Sequence, residues 1–246
     1  MGVGGGFIIV PLQLFLFEYI GVDISIAMLV SLGTSLAIII PTALSGAYRH
    51  TRTLKNIIRP GIKLGLFGII GGIIGGSLAS ALPTDILEFA FGLILIFIAA
   101  YNFFTLNREK GNAKLKFSLI NSAWIGIAIG IMSGLLGIGG GLFVILALTV
   151  LLGYSMIEAI GISSIFISLT SIGGVLSYIV SGWGVNPLPY SVGYISIINL
   201  VFIAMFSIPL AYYGAKIAHK LPQKRLKQFF SIIVLYIGLR MIGILP

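Results

Sequence analysis

Two runs of glycine are the most chemically suggestive feature of this chain: Gly2-Val3-Gly4-Gly5-Gly6 at the start and Gly137-Ile138-Gly139-Gly140-Gly141 past the middle. Each leads into a short apolar stretch, 7–17 and 142–152. Unpaired amide N–H groups at a helix N-terminus attract anions, and the helix dipole adds to that attraction. Glycine lets a ligand approach the main chain closely and accepts left-handed backbone angles. Gly4, Gly5 and Gly6, with Gly139, Gly140 and Gly141, are therefore candidates for holding a small anion. Their competing role is close helix packing, common for small residues in membranes. Hydroxyls would complete such a shell. Thr34, Ser35, Ser163 and Ser164 lie deep in long apolar segments, where the alternative is a bond back to the preceding turn. Gln13 is a rare amide within an apolar half-helix, suited to a site or to an interhelical bond. Ser45, Ser168, Thr170 and Ser171 are weaker candidates.

Other chemistries find no residues here. The chain has no cysteine, and its two histidines, His50 and His219, fall in predicted basic loops. The six acids are scattered. Glu18, Asp23, Asp85, Glu88 and Glu158 all fall near predicted segment ends, where solvation explains them. A proton role for Asp23 or Glu158 is the lesser reading. No metal site, cofactor or nucleophile–base pair can be assembled, so an intramembrane enzyme is disfavoured.

The elements that must position these residues follow from composition. Hydrophobic residues make up 58% of the 246 residues and charged residues 9%, against about 25% charge in a soluble domain. Such a chain cannot cover itself in water. Apolar segments predict helices over 7–17, 24–47, 61–81, 84–105, 117–136, 142–152, 156–180, 189–215 and 226–245, many near the roughly 20 residues that span a bilayer. The expected class is an all-α, multi-pass protein of the cell membrane with about 7–9 membrane segments.

The net charge of +9 is carried mostly in three clusters. These are Arg49, Arg52, Lys55, Arg59 and Lys63; Arg108, Lys110, Lys114 and Lys116; and Lys216, Lys220, Lys224, Arg225 and Lys227. Only Arg240 stands apart, near the last helix end, where a long side chain can snorkel. Short basic stretches between apolar segments mark cytoplasmic loops rather than a nucleic-acid surface. All three clusters fall on one face if 117–136 and 142–152 enter and leave from the same side. At 1.5 Å per residue the second of these rises only about 16 Å, too short to cross. A hairpin of broken helices fits, because irregular backbone at membrane depth must be buried or line a wet cavity.

The same pattern recurs. Each glycine run precedes a half-helix and then another glycine, Gly21 or Gly153. Gly75 precedes Pro83 as Gly214 precedes Pro222, and Gly33-Thr34-Ser35 resembles Gly161-Ile162-Ser163-Ser164 in an uncertain register. Two repeats are expected, 1–106 and 117–246, joined by a basic linker at 107–116. The Leu82-Pro83 turn is predicted outside and Leu221-Pro222 inside, so the repeats are inverted. Inverted repeats with interrupted helices are typical of secondary transporters. The first repeat lacks the opening helix that the second has, which reads as a misassigned or trimmed start rather than as a protein that works with nine segments.

On Gly2–Pro11, on Gly33-Thr34-Ser35-Leu36 and on the second glycine run, the chain resembles the TauE/SafE sulfite-exporter-like family over nearly its whole length. That resemblance implies carriage of sulfite, sulfonates or related organosulfur anions. The second run continues Leu142-Phe143-Val144-Ile145, without the Val10-Pro11 pair of the first. The expected partners are thus a small anionic substrate and the lipid bilayer, with homo-oligomerisation left open. The nearest rival is an anion channel, followed by a structural membrane subunit.

Overall fold

A segment apolar on every side has no face for water, and in lipid its backbone must satisfy its own hydrogen bonds, so it folds as a helix. The computed structural model describes residues 5–104, 118–185, 188–218 and 223–244. Among these, nine α-helices follow in order: α1 (Gly6–Tyr19), α2 (Ile24–Thr53), α3 (Ile58–Ala81), α4 (Thr84–Phe104), α5 (Leu119–Leu136), α6 (Gly141–Leu146), α7 (Met156–Ser181), α8 (Ile197–Ala218) and α9 (Gln223–Met241). Four of these, α2 over 24–52 together with α3, α5 and α7, are long and apolar enough to cross a membrane. The all-α, multi-pass architecture expected from composition is the one observed. Large apolar side chains such as Leu66, Phe97, Trp124 and Phe206 stand exposed on the outside, as lipid-facing residues must.

Glycine seams hold the centre together. Helix α3 runs between α5 and α7. A Cβ built on Gly75 would lie 2.1 Å from the Ile131 carbonyl oxygen of α5, and one on Gly72 would lie 2.6 Å from the Thr170 carbonyl oxygen of α7. These contacts leave no room for a side chain. Gly71, Gly72, Gly75 and Gly76 are thus packing glycines, which let neighbouring helices approach closely as small residues do in membranes. Elsewhere α4 pairs with α9, and α2 contacts α1, α7 and α8.

Three predicted boundaries move. Helix α2 continues through Thr53, so Arg49, His50 and Arg52 occupy its last turns rather than a loop. No proline interrupts 42–53, and cations suit the negative end of the helix dipole. The predicted helix at 189–215 instead opens with an antiparallel hairpin of β1 (Ser191–Val192) and β2 (Ile195–Ser196). Tyr190 and Gly193 both take φ 58° there, and left-handed residues break a helix. The predicted 142–152 helix starts as α6 and widens into a π-helical turn at Ala147–Leu151.

The acids at helix starts serve as caps. Asp23 accepts the Ser25 N–H at 2.9 Å at the head of α2. Glu158 accepts the Ser155 N–H at 3.0 Å in a capping box that opens α7, the reciprocal arrangement expected of Ser and Glu three apart. The basic linker 107–116, Asn186-Pro187, His219 and Leu221-Pro222 lie outside the described residues.

Candidate functional site

The two half-helices start in the same way. Gly5 caps α1 with φ 76°, and Gly140 caps α6 with φ 70°. Both angles are left-handed, which glycine alone takes at no steric cost. The chain between α5 and α6 turns on three such residues, Gly137, Gly139 and Gly140.

The fold brings the two starts together. A Cβ on Gly6 would lie 2.8 Å from Ile138 Cα and 2.9 Å from the Gly137 carbonyl oxygen. The N-terminus of α1 is thus seated directly on the glycine turn that opens α6. Two helix starts, each at the positive end of its helix dipole, meet here, with Gly6 and Gly141 buried and Gly5 exposed.

Other predicted residues take different positions. Ser35 belongs to this place: its hydroxyl donates to the Gly137 carbonyl at 2.9 Å. Thr34 is fully buried and accepts the Ser196 N–H of the β-hairpin at 2.9 Å. Ser163 and Ser164 both donate to the Ile160 carbonyl within α7. They lie about one turn before Ile167, the residue that faces Gly139. Gln13 is buried in α1, where its Oε1 accepts from Asn199 Nδ2 at 3.3 Å while its Nε2 has no protein partner. Gly141 is buried as the first residue of α6. Gly4 lies outside the described residues.

The structure adds two hydroxyls that the residue pattern did not single out, Ser31 and Ser133, and brings forward two of the weaker candidates, Thr170 and Ser171. All four are buried with side-chain oxygens that bond no protein atom. Buried polar atoms are nearly always satisfied, so an unpartnered one marks a place where a ligand or water belongs. Ser133 is the most telling, because its Cβ stands 3.2 Å from where a Cβ on Gly140 would be. It comes one helical turn before Gly137, a spacing that could have flagged it. Ser31 stands ten residues after Gly21, as Ser163 stands ten after Gly153. Had those two glycines set the register of the halves, Ser31 would have replaced Ser35 as the partner of Ser163.

The profile of the family described as Sulfite exporter TauE/SafE matches residues 1–241. The chain belongs to the TauE/SafE family. A probable membrane transporter protein of Haemophilus influenzae is 33% identical over 98% of this chain and 90% of its own length. One from Methanocaldococcus jannaschii is 32% identical over 98% and 88%, and YdhB, a probable membrane transporter protein of Bacillus subtilis, 29% over 97% and 92%. No solved structure matches. This TauE/SafE protein is accordingly a multi-pass membrane transporter and not an enzyme. Among its described residues no group of three or more His, Cys, Asp or Glu is placed to hold a metal.

Proposed function

We propose that this TauE/SafE protein exports small anions such as sulfite or sulfonates by alternating access, and that the anion rests where the two glycine turns meet. The observation that carries this reading is the seating of Gly6 on Gly137 and Ile138, which puts the starts of α1 and α6 side by side. Discontinuous helices in secondary transporters bind anionic groups with their N-termini near the midplane. Ser133 supplies a hydroxyl beside Gly140. A site of neutral donors suits a carrier: it needs no counter-charge when empty, and it releases its anion readily. The two halves, 1–106 and 117–246, would be inverted copies around this site, with α1 answering to α6 and α2 to α7.

The test is flux. Purified protein in liposomes should carry labelled sulfite in a saturable way that unlabelled sulfonates compete for, with and without an imposed pH gradient. Gly140→Val should lower that flux at least tenfold while the protein still elutes as a folded species. Absence of flux for sulfite, sulfate, taurine and sulfoacetate alike would overturn the assignment. Unchanged flux in Gly140→Val would return the glycines to packing. A current that does not saturate would favour the channel.

A further inference from the structure

The β-hairpin before α8 has no counterpart in the sequence reading and sits in an unusual place. It does not stay at the surface. Ile195 and Ser196 are buried, and the hairpin rests against mid-helix backbone of α2 and the last turns of α7. Three glycines make its seat. A Cβ on Gly33 would meet the Tyr194 carbonyl oxygen at 2.7 Å, one on Gly182 the Tyr194 nitrogen at 2.5 Å, and one on Gly193 the Ile179 carbonyl oxygen at 2.5 Å.

Two arms connect this seat to the glycine turn. On α2, Thr34 accepts the Ser196 N–H, and the next residue, Ser35, donates to the Gly137 carbonyl. On α7, the Tyr178 carbonyl accepts the Tyr194 N–H at 3.1 Å, while the Tyr178 hydroxyl donates to the Gly134 carbonyl at 3.0 Å. One end of each arm therefore holds the hairpin and the other holds the backbone at or just before the turn. The seat lies 16 residues from Arg49 along α2, about 24 Å of helix, so the hairpin belongs to the end remote from the α2 arginines. Its tip, Gly193-Tyr194, is tucked into the seat, while its base is open, with Tyr190 79% exposed.

We propose that the hairpin 190–196 is a gate, shown closed here, over the path between that end of the bundle and the glycine turn. Its latch is Thr34 with Tyr178, through which a shift at the turn is felt at the hairpin. The gate rests on the carrier reading for what passes beneath it. Its hinge points are the left-handed Tyr190, where the chain enters the hairpin, and the Ser196–Ile197 junction, where it leaves into α8. It is tied to α2 by the Ser196 N–H on the Thr34 hydroxyl and to α7 by the Tyr194 N–H on the Tyr178 carbonyl, so it can lift without unfolding either helix.

Hydrogen exchange on the wild-type protein tests the lifting without any substitution. The amides of Tyr194 and Ser196 should exchange on the order of 100-fold faster than the α2 and α7 amides beneath them, the signature of a local opening. Exchange of the hairpin only together with those helices would make it a fixed plug and overturn the gate, whichever anion is carried. The chain has no cysteine, so Thr34→Cys with Ser196→Cys creates one pair for a short reducible thiol cross-linker. Bridging should lower sulfite flux at least tenfold relative to the unbridged double variant, and reductant should restore it. A bridged protein that carries sulfite at the unbridged rate would overturn the gate. If even the wild-type protein carries no anion, the carrier reading fails and exchange alone decides the hairpin.

Discussion

Tyr178 is wholly buried, yet both of its polar ends are used, the hydroxyl on Gly134 and the carbonyl on Tyr194. Tyr178→Phe removes one buried hydrogen bond and should lower stability by about 1 kcal/mol, read as a fall in the detergent-solubilised melting temperature. Exchange at the Tyr194 amide should quicken in the same variant. Asp23 predicts a pH effect of definite sign. Bonds from the Ser25 hydroxyl and backbone N–H hold its carboxyl below the ordinary range. A depressed folded value means that its contribution to stability is present above the unfolded carboxylate pKa and is lost as pH falls through the folded one. Asp23→Asn should therefore flatten the acid side of the stability profile, with any loss relative to wild type seen at neutral pH and vanishing towards acid pH, as thermal melts between pH 3 and 7 would show. Arg240, expected to snorkel, lays its guanidinium 3.9 Å over the ring of Phe15, a cation–π contact between the last helix and the first.

Among the elements, the seams of α3 make the strongest prediction. Gly75→Leu must push α5 away from a carbonyl 2.1 Å from the new Cβ. It should abolish folded protein in membranes, whereas Leu66→Ala on the exposed face should leave the yield unchanged. Helices of this kind were legible in the sequence because their signal is local: apolar runs and the glycines and prolines that bound them stand next to one another in the chain. The Ser155–Glu158 cap, though equally local, reads from sequence only as a solvated end. The meeting of the glycine runs was legible as chemistry but not as contact, since Gly6 and Gly137 are far apart in sequence. The hairpin was not legible at all. Ile195, Ile197 and Ile198 read as one apolar helix, and nothing local shows that Gly33 keeps a slot for Tyr194. Ser133 is a different case, since its place one turn before Gly137 was there to be read in the sequence.

For the molecule as a whole, the charge pattern predicts sidedness. Arg49 and Arg52 end α2 at one surface, and the hairpin lies towards the other. A cysteine placed at Tyr190 should react with a membrane-impermeant thiol reagent in intact cells, and one at Arg52 only after permeabilisation, if basic residues mark the cytoplasmic side. The reverse pattern would turn the protein over. The glycine seams also bear on which parts can move. Where carbonyl oxygens of α5 and α7 sit against the bare backbone of α3, no layer of side chains remains to shear or to adopt new rotamers. The three helices then behave as a stator, a fixed block against which the rest of the machine turns. On the alternating-access proposal, the motion that exposes the interior first to one side and then to the other falls to α1, α8 and the hairpin. Spin labels on α3 and α7 should accordingly keep one distance through the transport cycle, while a label on α8 changes its distance to either.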